Sequence, residues 1–318
     1  IAGKTYRFDE EAKRLYDAQA PSFSMEYFDD LLVRLNEKLP GEGSVSERYN
    51  KYADGFIIPK DKLDVVFKTA INEARKRTLK HFPLPNNENF VLEYVKDKSW
   101  SGYNYYKGKG QSLIQINTDL PIYIDRAIDL ACHEGYPGHH VFNALLEENL
   151  VINKGWVEFS VYPLFSPQSL IAEGSANYGI DVAFPGSSRI DYEKQVLFPL
   201  AGTEPSKAEE YYAIQALRSK LNYAGNEAAR QYLNGDINRD QAAMMLSKYL
   251  LYTPERAQQR TRFIDQYRSY VINYNLGKDL VDDYVEAKGG TLENPKKRWQ
   301  IFKDLLSNPH TASTLKSN

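Results

Sequence analysis

The chain has one cysteine, Cys132, in 318 residues, and only three methionines and three tryptophans. A lone thiol cannot close an internal disulfide. It also cannot supply the several Cys ligands common in structural zinc sites. We read Cys132 as a small buried apolar residue on the back of a helix. No segment approaches the ~20 consecutive apolar residues that span a bilayer, which excludes a transmembrane helix. The net charge is −2 and there is no long basic run, so nucleic acid is not an expected partner. There is no internal repeat, no low-complexity tract and no long linker, and 42% of residues are apolar, enough for one packed core. The first residues, Ile1-Ala2-Gly3-Lys4-Thr5, lack a signal-peptide pattern and an initiator Met. We therefore expect residues to have been removed upstream, a signal peptide being one candidate, and the compartment is not legible.

Histidine is also scarce, with five in all, yet three fall in His133-Glu134-Gly135-Tyr136-Pro137-Gly138-His139-His140. Histidine binds zinc through a neutral ring nitrogen, and an adjacent glutamate can take a proton from activated water. The usual zinc-peptidase spacing is H-E-x-x-H on one helix. Here His139 follows His133 by six residues, which in a straight helix is about 120° off the same face. His140 faces the right way but lies roughly 10.5 Å along the axis, too far to share an ion. A regular helix therefore cannot make the site. Pro137 cannot donate to the carbonyl of His133, and Gly138 tolerates dihedrals closed to other residues. A bulge at Pro137-Gly138 would swing His139 back beside His133. The competing possibility is that Pro-Gly ends the helix and leaves the histidines in a surface turn.

Flanking residues favour the helix. Pro121 to Leu130 reads as its start, with Ile124, Ala127, Ile128 and Ala131 forming an apolar stripe. Asp129, one turn before His133, is placed to accept its second ring N–H, or else is an ordinary solvated helix charge. Glu173, in Ala172-Glu173-Gly174-Ser175-Ala176-Asn177-Tyr178, is a candidate distant ligand. Asn177, one turn further on, can orient a ligand histidine.

These segments resemble a bacterial domain-of-unknown-function family whose signature is H-E-x-x-P-G-H-H followed by E-G-x-A. That family is similar to the gluzincin metallopeptidases, and dipeptidyl peptidase III, with its stretched H-E-x-x-G-H, is a distant analogue. The resemblance runs from Trp100-Ser101-Gly102-Tyr103-Asn104-Tyr105-Tyr106 and Ile116-Asn117-Thr118-Asp119-Leu120-Pro121, through the ungapped histidine motif and Glu173-Gly174-Ser175-Ala176, to Tyr270-Val271-Ile272-Asn273-Tyr274-Asn275-Leu276-Gly277-Lys278. It implies His133, His139 and Glu173 as ligands of one Zn2+ per chain, with Glu134 as base. Many family members carry a large aromatic after E-G, where this chain has Ser175, a change expected at a pocket wall. The late motif suggests Tyr274 as the stabiliser of a tetrahedral oxyanion, with His140 as the alternative.

The remaining pattern is mainly helical. Ser24 is placed to cap a helix with Phe28, Leu31, Leu32 and Leu35 on its apolar face, ended by Pro40-Gly41. Further helices are expected over 61–80, from a capping box at Ser206-Lys207-Ala208-Glu209 toward Gly235, over 240–251, and from Thr253-Pro254 onward. Phe90 to Val95 and Ser112 to Asn117 read as strands, the second following the turn at Gly108-Lys109-Gly110. The expected fold is thus mainly α with a small β-sheet, gluzincin-like, with a bulged metal-binding helix. We expect one catalytic domain over 1–318: helical over 1–85, small sheet plus metal-site helices over 86–185, helical over 186–318. In such a plan an edge strand pairs with an extended peptide, and Leu113, Gln115 and Asn117 are the candidates. Tyr105 and Tyr106 are placed to line a cleft, and Arg268 to pair with a substrate carboxylate. His81 and His310 have no partner pattern and read as structural or surface residues.

The expected function is a zinc-dependent hydrolase, foremost a metallopeptidase acting on peptides. Two alternatives are a zinc hydrolase of a non-peptide amide and a non-catalytic helical binding protein with a vestigial metal site.

Overall fold

The computed structural model describes residues 4–316, so Ile1, Ala2 and Gly3 of the N-terminal pattern lie outside the described residues. The described residues are mainly helical with one three-stranded sheet. No described helix is long and apolar enough to cross a membrane.

Helices form where the apolar spacing predicts them. Met25–Asn36 buries Phe28, Leu31, Leu32 and Leu35, although Ser24 makes no side-chain cap. Leu63–Leu79 buries Leu63, Val66, Phe67, Ala70 and Ala74. Thr253 does cap Pro254–Tyr267, accepting from the Arg256 amide. The box at Ser206 does not form. Its hydroxyl bonds Glu204 instead, and a short 3-10 turn, Pro205–Lys207, precedes the helix Ala208–Ser219. The run toward Gly235 is broken by a second 3-10 turn, Lys220–Asn222, before Tyr223–Asn234.

The sheet holds β1 (Asn89–Val95), β2 (Gly102–Gly108) and β3 (Gln111–Asn117) in the order β1-β3-β2. β3 runs parallel to β1 and antiparallel to β2. β2 went unread because Tyr103 to Tyr106 lacks apolar alternation. Ser112, Ile114 and Ile116 of β3 are buried, and Ile114 reaches toward Gly135 of the histidine segment.

Two long helices, Pro167–Ala183 and Ile272–Ala287, cross behind that segment. At the crossing a Cβ on Gly174 would lie 2.3 Å from the carbonyl of Gly277. Only paired glycines allow this backbone approach, and it brings Glu173 and Tyr274 to one place.

Candidate metal centre and cleft

The helix Asp125–Leu130 widens into a π-turn over Ala131–Gly135. The Tyr136 amide donates five residues back to Ala131 O (3.0 Å), and the Gly138 amide six back to Cys132 O (2.9 Å). A new helix then opens at His139. The widening begins one turn before the expected bulge at Pro137-Gly138. It winds in the extra residues, so His139 returns beside His133, with ring centroids 4.7 Å apart and planes perpendicular. Gly138 is required, since a Cβ there would lie 2.0 Å from the carbonyl oxygen of His133.

Glu173 arrives from the Pro167–Ala183 helix. Its Oε2 lies 3.1 Å from His133 Nε2, and its Oε1 lies 3.6 Å from His139 Nε2. One ligand atom from each residue falls within 4.8 Å of the others. Tyr270 donates its hydroxyl to Glu173 Oε1 at 2.7 Å. Oε2 is buried without a hydrogen bond. A buried carboxylate oxygen without a donor is costly. A cation among these three groups would satisfy it, and two imidazoles with one carboxylate form a donor set suited to Zn2+.

Asn177 sets the tautomer. Its Nδ2 donates to Tyr274 O (3.0 Å), which turns its Oδ1 toward His133 Nδ1 at 2.9 Å. In the neutral ring Nδ1 therefore carries the proton and Nε2 presents its lone pair to the cluster. Electrostatics also favours positive charge here. Burial alone would lower the pKa of His133, but Glu173, Glu134 and Asn177 push it up to about 9. Burial alone would raise that of Glu173, yet His139 and His133 hold it well below the usual carboxylate range.

Glu134 is buried beside this group, its carbonyl accepting from Asn104 Nδ2 of β2. Burial raises its pKa above the ordinary glutamate value. Gly102 leaves room for it, since a Cβ there would lie 2.9 Å from Glu134 Oε1. The Tyr274 ring lies nearly parallel to His133, with centroids 6.3 Å apart.

These groups line a cleft of about 540 Å³, walled on one side by β2 with Tyr103, Tyr105 and Tyr106 and on the other by the Pro254–Tyr267 helix. Six expected site residues stand elsewhere or act otherwise. β3 is the central strand, so Leu113, Gln115 and Asn117 are not at an edge. Gln115 bonds Glu93, and Asn117 bonds Lys98 O and Trp100 O. The strand edge facing the cleft is β2. Asp129 does not reach His133; it pairs with Arg126 (3.0 Å) and Arg189 (2.9 Å). Arg268 is held by Glu11 at 2.7 Å, because the first helix packs against it. Tyr270 was missed as the partner of Glu173, although it opens the late motif.

His140 turns away from the cluster into the core, where its Nδ1 meets Ser112 Oγ (2.8 Å) and its Nε2 meets Glu88 Oε2 (3.0 Å). Glu88 also accepts from Tyr136 and Arg75. Burial alone would raise its pKa, but His140, Tyr136 and Arg75 bring it down to about 2. A depressed carboxylate stabilises the fold above its ordinary pKa, and that stability is lost as pH falls through the folded value. Glu88→Gln should therefore cost about 3 kcal/mol at pH 7. Urea titrations of the variant should lose stability less steeply than the parent between about pH 4.5 and 2.

No family model matches the chain, and no curated protein matches it. Among solved structures, the fold is similar to that of a chain described as "the putative lipoprotein from Colwellia psychrerythraea", with TM-score 0.69 and 15% identity. The match covers 98% of this chain and 54% of that one, so this chain spans about half its length. At that identity the likeness concerns the fold alone.

Proposed function

We propose that this protein is a zinc-dependent hydrolase of amide bonds, foremost a metallopeptidase. The observation that carries the proposal is the convergence of His133 Nε2, His139 Nε2 and the unbonded buried Oε2 of Glu173 at one wall of a cleft. Three protein ligands leave a coordination position free, the pattern of catalytic rather than structural zinc. Zn2+ held there would supply Lewis acidity toward a carbonyl oxygen and toward water.

The chain's own groups account for the rest. Glu134 takes a proton from the attacking water and delivers it to the leaving amine. Tyr274 stands beside His133 and donates its hydroxyl to the carbonyl oxygen as negative charge builds. Asn177 keeps His133 in the ligating tautomer. The free edge of β2 offers backbone groups to an extended peptide, the role first expected of β3.

Elemental mass spectrometry on protein purified without chelator tests this. About one zinc per chain is the expected result, together with cleavage in a peptide-library digest. No zinc and no uptake on addition would overturn the proposal. Turnover of non-peptide amides only would leave the metal chemistry and remove the peptidase.

A further inference from the structure

The wall opposite the histidines carries two arginines without an acidic partner. Arg256 and Arg260 are one turn apart on the Pro254–Tyr267 helix, and both line the cleft. Among the described residues neither makes a salt bridge. Arg256 lies over the Tyr252 ring (4.8 Å), and Arg260 over the rings of Phe263 (4.6 Å) and Tyr274 (5.8 Å). Arg126, the third guanidinium in the cleft, is occupied by Asp129. Stacking on ring faces holds a guanidinium in place while leaving its N–H fork free. Two such forks in a concave wall form a receptor for a planar anion.

The local field agrees. Burial alone would raise the Tyr252 hydroxyl, but Arg256, Arg260, Arg218 and Arg126 pull its pKa below the ordinary value.

We infer that Arg256 and Arg260 bind the C-terminal carboxylate of a peptide substrate, so that the cleft removes residues from free C-termini rather than cutting within chains. This rests on the hydrolase proposal for the same cleft. The spacing suits it. Arg260 lies 5.8 Å from the Tyr274 ring, and that ring lies 6.3 Å from His133. Laid end to end, these separations reach no further than about three and a half residues of extended chain, at roughly 3.3–3.6 Å each. The scissile bond would therefore fall within one to three residues of the carboxylate. The role expected of Arg268 passes to this pair because Glu11 neutralises Arg268 and leaves Arg256 and Arg260 free.

The test compares acetyl-Ala-Ala-Phe with its C-terminal amide by isothermal titration calorimetry, using zinc-free protein so that no turnover intervenes. The acid should bind at least about ten-fold more tightly than the amide, charge-assisted bonds being the stronger kind. Arg256→Gln/Arg260→Gln should abolish that difference while the melting temperature stays unchanged. Equal binding of acid and amide, or no binding of the acid, overturns the inference, and the parent protein alone suffices to see it. Zinc content is measured separately. Its absence would sink the hydrolase proposal, whereas zinc uptake with equal binding would sink only this one.

Discussion

Replacing Glu134 by glutamine is expected to lower amide hydrolysis by about 10²–10⁴-fold, the usual contribution of a positioned general base. Zinc content should stay near that of the parent, because Glu134 is not among the converging ligand atoms. Glutamine keeps the shape of the side chain, so the contact with Gly102 and the bond from Asn104 to the Glu134 carbonyl survive. It also removes a buried carboxyl whose charge burial disfavours, so the fold should be no less stable. Three measurements on one variant then separate the alternatives. Lost turnover with retained zinc and unchanged melting temperature supports the base. Unchanged turnover removes Glu134 from the chemistry. No turnover in either protein, with zinc bound, points to a vestigial site.

Gly138→Ala is the most disruptive small substitution expected. Its added Cβ would lie 2.0 Å from the carbonyl oxygen of His133 and 2.3 Å from that of Cys132. Both obstacles are backbone, so no rotamer relieves the clash. The variant must open the turn and part the two histidines. A loss of at least about 3 kcal/mol is expected, above the usual range for overpacking because backbone must shift. Zinc content should fall with it. Gly55→Ala is the control, since nothing lies within 4 Å of its added Cβ. It should change stability by no more than about 0.5 kcal/mol. Equal stability of the two variants in urea would mean that Gly138 is not the pivot of the turn.

The histidine segment was legible because its constraint is local. A separation of six residues from His133 to His139, with Pro137 and Gly138 between them, requires an irregular helix whatever surrounds it. Asn177 was legible because one helical turn ties it to Glu173. The helix with Phe28, Leu31, Leu32 and Leu35 was legible from its apolar spacing. His140 and Asp129 were misplaced for a common reason. Each has the right residue type and a plausible spacing, but the direction of its side chain depends on distant partners. Those partners are Glu88 and Ser112 for His140, and Arg189 for Asp129. Arg268 failed likewise, its partner Glu11 lying at the other end of the chain. The strand edge was misassigned because Tyr103 to Tyr106 gives no alternation, and strand order in a sheet is not a property of any one strand.

By itself, then, the sequence determined the histidine and carboxylate side chains on offer, the need for a broken helix between the two histidines, the mainly helical character and, among the described residues, the lack of an apolar run long enough to span a bilayer. Backbone covalent geometry and side-chain periodicity act over a few residues, so these features survive without knowledge of packing. Tertiary structure decided which tyrosine serves Glu173, which strand edge borders the cleft and which arginines remain unpaired. Those outcomes turn on the crossing of two helices at Gly174 and Gly277, where backbones touch because neither residue has a side chain. Contacts between segments far apart in sequence are set by how whole faces pack, and no local pattern encodes them.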